Sequence, residues 1–530
     1  MKSTFLQEAT PAVPSRGAGL ARLRLGALCN YHVFLFASFL FLLPNLLFAT
    51  ALRPLPGVIV VAASAGAFAL LWRGTRESRV LGASVDAVSL AFCLAGGVGL
   101  CLLGGEGHFF YSTADWLIRD AVLADLVRNG TKVIYRYGDQ DYLLRAPLGM
   151  YLSPAVVGRM FGLYAAHIAL LAQNAVIVGA ILYLTATLAE VRKAPFILLM
   201  VMFSGLDILG VLAAEAVEAA KGEPFKIFSH IEWWSAYFSP VPLQYSSFVT
   251  QLFWVPNHMA PGWWFALIVL LHVRGEIAFS ALLAACLPLL LWSPLAMLGA
   301  APFVAWLALR APGRGFLTAE MVLAAMAGLC FAPVALYLVM DAGAVPHEWL
   351  AFRDGFLRTY FSFVFVEIPQ AAVLVYAWRK IAGPDRGPLV LALVLLLVIP
   401  LYSFGPSNDF AMRASIPALF LLAFSFARIA VLTPRDNSAF PTLISSLVLI
   451  SAATPLLELK NAFSGAYGVS DCNMLTAWRK TDGFAFPTNY LAREEKVLPW
   501  LISVGDGPAP LTVETRRCWP DHPLLDDRKK

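Results

Sequence analysis

Charge is scarce in this chain. Of its 530 residues 14% are Asp, Glu, Lys or Arg, against 59% hydrophobic, and the mean hydropathy is +0.70. So few charges cannot cover the surface of a soluble globular domain, and the composition is that of an integral membrane protein. The formal charge of +5 and isoelectric point near 8.8 are read as basic loops fixing topology, and no nucleic-acid partner is expected. Metal-ligand spacing is missing from the seven cysteines. Cys29, Cys93, Cys101, Cys286 and Cys330 lie in or beside apolar stretches and read as small core residues. A small-residue cleavage site is lacking after the first apolar run, so the first helix is expected to be an uncleaved anchor. There are no internal repeats, and no low-complexity segment beyond the first twenty or so residues.

What is present is a series of apolar runs of the length a bilayer demands of a helix. Thirteen are expected, near 33–52, 57–72, 85–104, 164–189, 195–216, 258–273, 276–291, 293–310, 316–340, 359–378, 387–403, 415–432 and 440–457. With the N-terminus in the cytoplasm, the basic loops Arg73–Arg79, Arg192-Lys193, Arg274, Arg310–Arg314, Arg379–Arg386 and Pro434-Arg435 all fall on the inner side. That register predicts a multi-pass inner (plasma) membrane protein: a cytoplasmic segment 1–32, an additional helix pair 33–84, a membrane domain 85–457 with an outer loop 105–163, and a small extracytoplasmic region 458–530. Cys472 and Cys518 are the one pair in an oxidising compartment and are expected to form a disulfide stapling that region.

The first long polar interruption, Glu106 to Arg159, carries the leading candidates. Asp115, Ile118, Val122 and Leu126 share a helical face while Arg119, Asp120 and Asp125 point elsewhere, which predicts an amphipathic helix along the bilayer surface. Asp115 then stands at a lipid–water boundary, where a general base can meet a hydrophilic acceptor and a lipid-borne donor. The plainer alternative is an acid at a helix start, capped by Ser112 or Thr113 and paired with Arg119. Asp139 and Asp141 form an Asp-x-Asp pair that could hold a divalent cation through oxygen ligands, or simply end a solvated loop. Asp207 lies mid-helix and must face the bundle interior with a partner; Glu367, beside Pro369, is comparable. Tyr142 and Trp254 belong to aromatic outer loops suited to stacking on a sugar or to an interfacial belt. His258 is a candidate phosphate or acceptor contact. In the turn Gly405-Pro-Ser-Asn408-Asp409-Phe-Ala-Met-Arg413, an outward Arg suits a phosphate at headgroup depth, with a pair to Asp409 as the alternative.

These segments resemble the type C (GT-C) glycosyltransferases. The likeness rests on Thr113-Ala-Asp115-Trp116 with Asp120-Ala-Val-Leu-Ala-Asp125-Leu, on Leu144-Arg-Ala-Pro-Leu-Gly-Met-Tyr-Leu-Ser-Pro-Ala-Val-Val-Gly158, on Phe203-Ser-Gly-Leu-Asp207, on Trp254-Val-Pro-Asn-His258 and on Asn408-Asp-Phe-Ala-Met-Arg413. It spans about residues 85 to 430 with loose motifs. The resemblance implies transfer of a sugar from a polyprenyl-phosphate donor to a lipid, glycan or protein acceptor on the outer face, with the base at Asp115 and a lipid-phosphate contact at Arg413. Family members usually carry the acid after the first membrane helix; here it follows the third, and the tight pair of adjacent acids seen in some members is missing.

The expected mechanism has Asp115 deprotonating the acceptor, with Arg413, Arg145 and His258 on the departing phosphate and Asp207, Asp409, Tyr142 and Trp254 as further substrate contacts. This reading requires no cofactor; a divalent cation at Asp139 and Asp141 is a candidate, and metal dependence stays open. The competing class is a lipid or solute transporter, which would line a midplane pathway with polar groups; a third is a non-catalytic envelope assembly protein acting through the tail after Lys460.

Overall fold

The computed structural model describes residues 24–74, 78–224, 230–310, 318–405, 407–434, 438–465, 468–481, 486–505, 509–515 and 518. Arg314 and Arg435, the ends of two basic loops named above, lie outside the described residues. The chain is all-α and 70% helical. In order it runs through α1 (Asn30–Phe48), α2 (Pro54–Gly74), α3 (Ala87–Leu103), α4 (Asp115–Asn129), α5 (Leu152–Phe161), α6 (Leu163–Ala189), α7 (Lys193–Val201), α8 (Asp207–Ala220), α9 (Phe248–Trp254), α10 (Pro256–Val273), α11 (Phe279–Cys286), α12 (Pro294–Arg310), α13 (Ala319–Cys330), α14 (Ala332–Val339), α15 (Phe356–Glu367), α16 (Gln370–Tyr376), α17 (Gly383–Val398), α18 (Asp409–Ala414), α19 (Ile416–Leu432), α20 (Ala439–Ser451), α21 (Ala453–Asn461) and α22 (Met474–Thr481).

Each of the thirteen apolar stretches contains helix, yet thirteen spans are not confirmed. Among the described residues, six helices are long and apolar enough to cross a bilayer, or seven if the bent pair α15 and α16 is one span. The shortfall has visible causes. Ala87–Leu103, Phe279–Leu291, Pro294–Arg310 and Ile416–Leu432 are apolar but shorter, and the expected helix 195–216 is interrupted between α7 and α8. There the backbone unwinds over 202–206, and the Leu206 N–H donates to the Val366 carbonyl at 2.7 Å. Opposite it, α15 and α16 break at Ile368-Pro369 with a bend of 67°, as a proline inside a helix dictates. Gly205 permits the approach, since a Cβ there would stand 2.9 Å from the Glu367 Cα.

Exposed apolar side chains such as Phe92, Leu298, Leu329, Phe365 and Leu449 ring the bundle, and a surface of that character fits a membrane protein. Helix α10 is enclosed by protein, with Trp263 to Leu271 all at or below 1% exposure. Small residues let helices touch. A Cβ on Gly97 of α3 would stand 2.9 Å from the backbone N of Gly179 in α6, and one on Gly179 would stand 2.8 Å from the Leu94 Cα, the close approach that membrane helices use in place of a hydrophobic drive.

Two corrections concern α4. It is not a surface helix, for Trp116, Leu117 and every residue from Arg119 to Leu126 are buried; α5, α6 and α22 pack around it. Nor do Ser112 or Thr113 cap it. The residue before the helix is Ala114, without a side-chain cap, because the chain folds back so that the Ser112 hydroxyl donates to the Gly105 carbonyl at 3.1 Å.

The region after 458 also differs from a separate appendage. Strands β1 (Ile134–Tyr137) and β2 (Gln140–Leu144) form a hairpin in the loop 105–163, and β3 (Leu491–Arg493) extends it antiparallel, with Leu143 opposite Ala492. Cys472 and Cys518 form a disulfide. The tail is thus woven onto the loop that carries Asp115.

Candidate functional site

A cavity of ≈ 360 Å³ lies between the segment 145–151, the start of α10, the start of α12, the end of α14, α18 and the tail at Asn489-Tyr490. Its lining combines polar residues, Arg145, Asn257, His258, Asp409 and Arg413, with apolar ones, Leu295, Leu298, Leu338, Val339, Val345 and Phe410. Leu298 and Val339 are 58% and 60% exposed, so the cavity opens through the apolar flank of the bundle.

Each cation is held by its own surroundings. Arg413 sits at the end of the short α18, whose start needs a left-handed Asn408 at φ 55°, and its Nη1 pairs with Asp409 Oδ1 at 2.7 Å. Both readings of Arg413, pair and cavity contact, therefore describe the same side chain. Arg145 donates to the carbonyls of Leu338, at 3.0 Å, and Thr488. His258 Nδ1 lies 2.6 Å from Ser293 Oγ. Behind this wall Arg119 donates to Asp115 Oδ2 at 3.2 Å and lies near enough to Tyr151, Tyr490 and His258 to act on them electrostatically.

Three guanidinium nitrogens here are buried without a hydrogen-bond partner among the described residues: Arg119 Nη1, Arg145 Nε and Arg413 Nε. An orphaned buried donor costs on the order of 1–3 kcal/mol, more when charged. Two of them, on Arg145 and Arg413, belong to residues that line the cavity, and a buried donor of that kind is suited to an oxyanion. Burial raises the Tyr151 and Tyr490 hydroxyls above the usual tyrosine value, so both remain neutral donors.

Asp115 is the first residue of α4, with a side chain 43% exposed. It does not line the cavity, but it acts electrostatically on Tyr151 and Tyr490, which do. A carboxylate partnered by an arginine and open to water can take a proton from a hydroxyl that reaches it.

The remaining sequence candidates lie elsewhere. Tyr142 is on the hairpin, its ring 4.6 Å from that of Phe486. Asp139 is exposed at the hairpin turn after Gly138, and both oxygens of Asp141 are held by Arg136 at 2.7 and 2.8 Å; the Asp-x-Asp pair is a solvated hairpin end with one acid already satisfied. Trp254 donates to Glu458 Oε2 at 3.0 Å. Asp207 is fully buried and accepts from Ser204 at 3.1 Å and Thr454 at 2.7 Å, beside Glu367, which accepts from Trp234 at 2.9 Å. These form a second polar centre at the two helix breaks, apart from the cavity.

Sequence reasoning missed Tyr151, Asn257, Asn489 and Tyr490. Asn257 was adjacent to a named histidine and could have been included with it. Nothing in the sequence ties Tyr490 to the loop 105–163, since the link is a strand pairing across some 350 residues.

No family model, curated protein or solved structure matches this chain.

Proposed function

We propose that the chain is a membrane glycosyltransferase of GT-C type, moving a sugar from a polyprenyl-phosphate donor to an envelope lipid, glycan or protein acceptor at the outer face. The observation that carries this reading is the cavity itself: apolar lining residues open to the lipid-facing flank, together with Arg145 and Arg413, which each keep an unsatisfied N–H. An amphiphile with an anionic head fits both, and a bidentate-capable guanidinium suits a phosphate.

In the mechanism, Asp115 takes the proton of the acceptor hydroxyl as its oxygen bonds to the anomeric carbon. The bond from that carbon to the phosphate oxygen breaks, and the phosphate leaves with its electron pair. Arg413 and Arg145 stabilise the charge that grows there, which is where preorganised donors act most strongly; Arg119 orients Asp115. The orientation that goes with this function has the N-terminus in the cytoplasm of the inner membrane and the loop 105–163 and tail outside, following the basic-loop register.

A transporter is the second reading, favoured by one feature. The two broken helices meet at Asp207 and Glu367, and discontinuous helices around a buried polar centre are how many transporters build ion sites. Purified protein in liposomes, given a panel of labelled polyprenyl-phosphate sugars and candidate acceptors, separates the two. Transfer or slow hydrolysis of the label supports the enzyme; donor moved across the bilayer unaltered would replace it with the transporter.

A further inference from the structure

Beneath the helix that presents Asp115 lies a polar cluster that neither mechanism uses. His108 follows α3 in a tight turn, with Gly105, Gly107 and His108 itself at φ 89°, 75° and 62°. Asp120 projects from α4, and His167 from the first turns of α6. Their side chains are between 1% and 4% exposed. Asp120 Oδ2 stands 3.1 Å from His108 Nε2, and Oδ1 stands 3.8 Å from His167 Nδ1. The two rings lie 4.8 Å apart, near perpendicular at 79°.

Proximity here does not mean hydrogen bonding. Neither oxygen of Asp120 has a hydrogen-bond partner among the described residues, and His167 Nε2 has none either. Arg119, the neighbouring cation, turns to Asp115 instead. A carboxylate buried in this way needs a counter-charge, and two imidazoles converge on it. One ligand atom from each residue falls within 4.8 Å of the others. Two ligands at metal–ligand bonds of about 2.0–2.1 Å sit about 3.0–3.4 Å apart for angles between square and tetrahedral. The His108–Asp120 separation already fits, and a ring rotation of His167 brings in the third donor.

We propose that His108, Asp120 and His167 form a binding site for a divalent transition-metal ion. Two imidazoles and one carboxylate favour zinc, or a neighbour in its row, over the all-oxygen sites of magnesium and calcium. Held there, the ion joins the end of α3, α4 and α6 at one point, and so fixes the turn of helix that carries Asp115 and Arg119. Its role is positional: Asp120 lies five residues beyond Asp115. The site is distinct from the Asp-x-Asp pair at the hairpin and is independent of whether the protein transfers sugars.

The test needs no turnover. Full-length protein in detergent is stripped with a chelator, titrated with cobalt(II) and followed by visible absorption, then with zinc and followed by melting temperature. Expected are ligand-field bands saturating at one cobalt per chain, their loss on adding zinc, and a melting temperature several degrees higher in zinc than after stripping. His167→Gln, and His108→Gln with His167→Gln, are expected to lose the bands and the zinc shift while melting as the stripped wild type does. Stripped wild type that gives neither bands nor a zinc shift overturns the site, as does His167→Gln binding cobalt like wild type. Should the variants fail to fold, X-ray absorption on zinc-loaded wild type decides: imidazole scattering from two histidines supports the proposal, and its absence refutes it.

Discussion

Asp125 offers a test of the fold around α4. Its side chain is fully buried, and Oδ2 accepts from the Tyr135 hydroxyl at 2.6 Å and from the Met474 backbone N–H at 2.9 Å. Burial outweighs those two bonds and pushes the carboxyl up to about 7 from an ordinary 3.8. The sign follows directly. A carboxyl whose folded value lies above its unfolded value takes up a proton on folding between about pH 4 and 7, so stability is greatest below the unfolded value and declines as pH rises through that window. At 1.36 kcal/mol per unit, the decline is on the order of 4 kcal/mol and is complete above pH 7. Asp125→Asn keeps an oxygen to accept both bonds but cannot ionise. Its amide nitrogen takes the place of Oδ1, which has no partner, at a cost of about 1–3 kcal/mol that is the same at every pH. The assay is the apparent melting temperature in detergent from pH 5 to 8 for both proteins. The variant is expected to gain on wild type from pH 5 to about pH 7, to keep that gain to pH 8, and to melt higher there. Parallel curves would refute the reasoning, because other buried acids such as Glu106 contribute equally to both.

Three further outcomes are expected. Arg413→Ala removes a charge-assisted contact of about 1.5–3 kcal/mol, so donor affinity should fall roughly 10- to 150-fold with acceptor affinity little changed; an unaltered donor KM counts against the phosphate role. Gly299→Ala should cripple donor use without touching the cavity, since its Cβ would overlap the Ala414 carbonyl immediately behind Arg413; a variant as stable and active as wild type would show that α18 tolerates displacement. Replacing Cys472 and Cys518 by Ser opens a crosslink of sequence separation 46, worth about 4 kcal/mol by chain entropy, and should speed proteolysis after residue 470 more than within the bundle.

Much of this architecture can be read before any coordinates are seen, and the misses share a cause. Apolar runs locate the helices because a bilayer imposes length and hydropathy locally. Where helices break is set by partners, as when Leu206 bonds to Val366 and Gly205 yields to Glu367, and no single run reveals that. The polar face of α4 was taken for a solvent face. Arg119, Asp120 and Asp125 are themselves buried and find partners in Asp115, His108 and Tyr135, so the amphipathic pattern describes a polar interior rather than an exposure to water. Arg145, His258, Asp409 and Arg413 are legible in the sequence because polar groups are scarce in such a chain, and the fold brings all four to one cavity. The wall formed by Tyr490 could not be anticipated, because the tail's composition is that of any small polar region and its pairing with β2 is long-range.

The central claim is that Asp115 is the base for sugar transfer from a lipid phosphate bound by Arg145 and Arg413. The most direct measurement is single-turnover transfer from a labelled polyprenyl-phosphate sugar in proteoliposomes, comparing wild type with Asp115→Asn at matched donor occupancy. Donor bound as tightly by the variant but transfer slowed by at least about 10²-fold, the scale of a lost general base, is the expected result. Transfer by Asp115→Asn at the wild-type rate would contradict it.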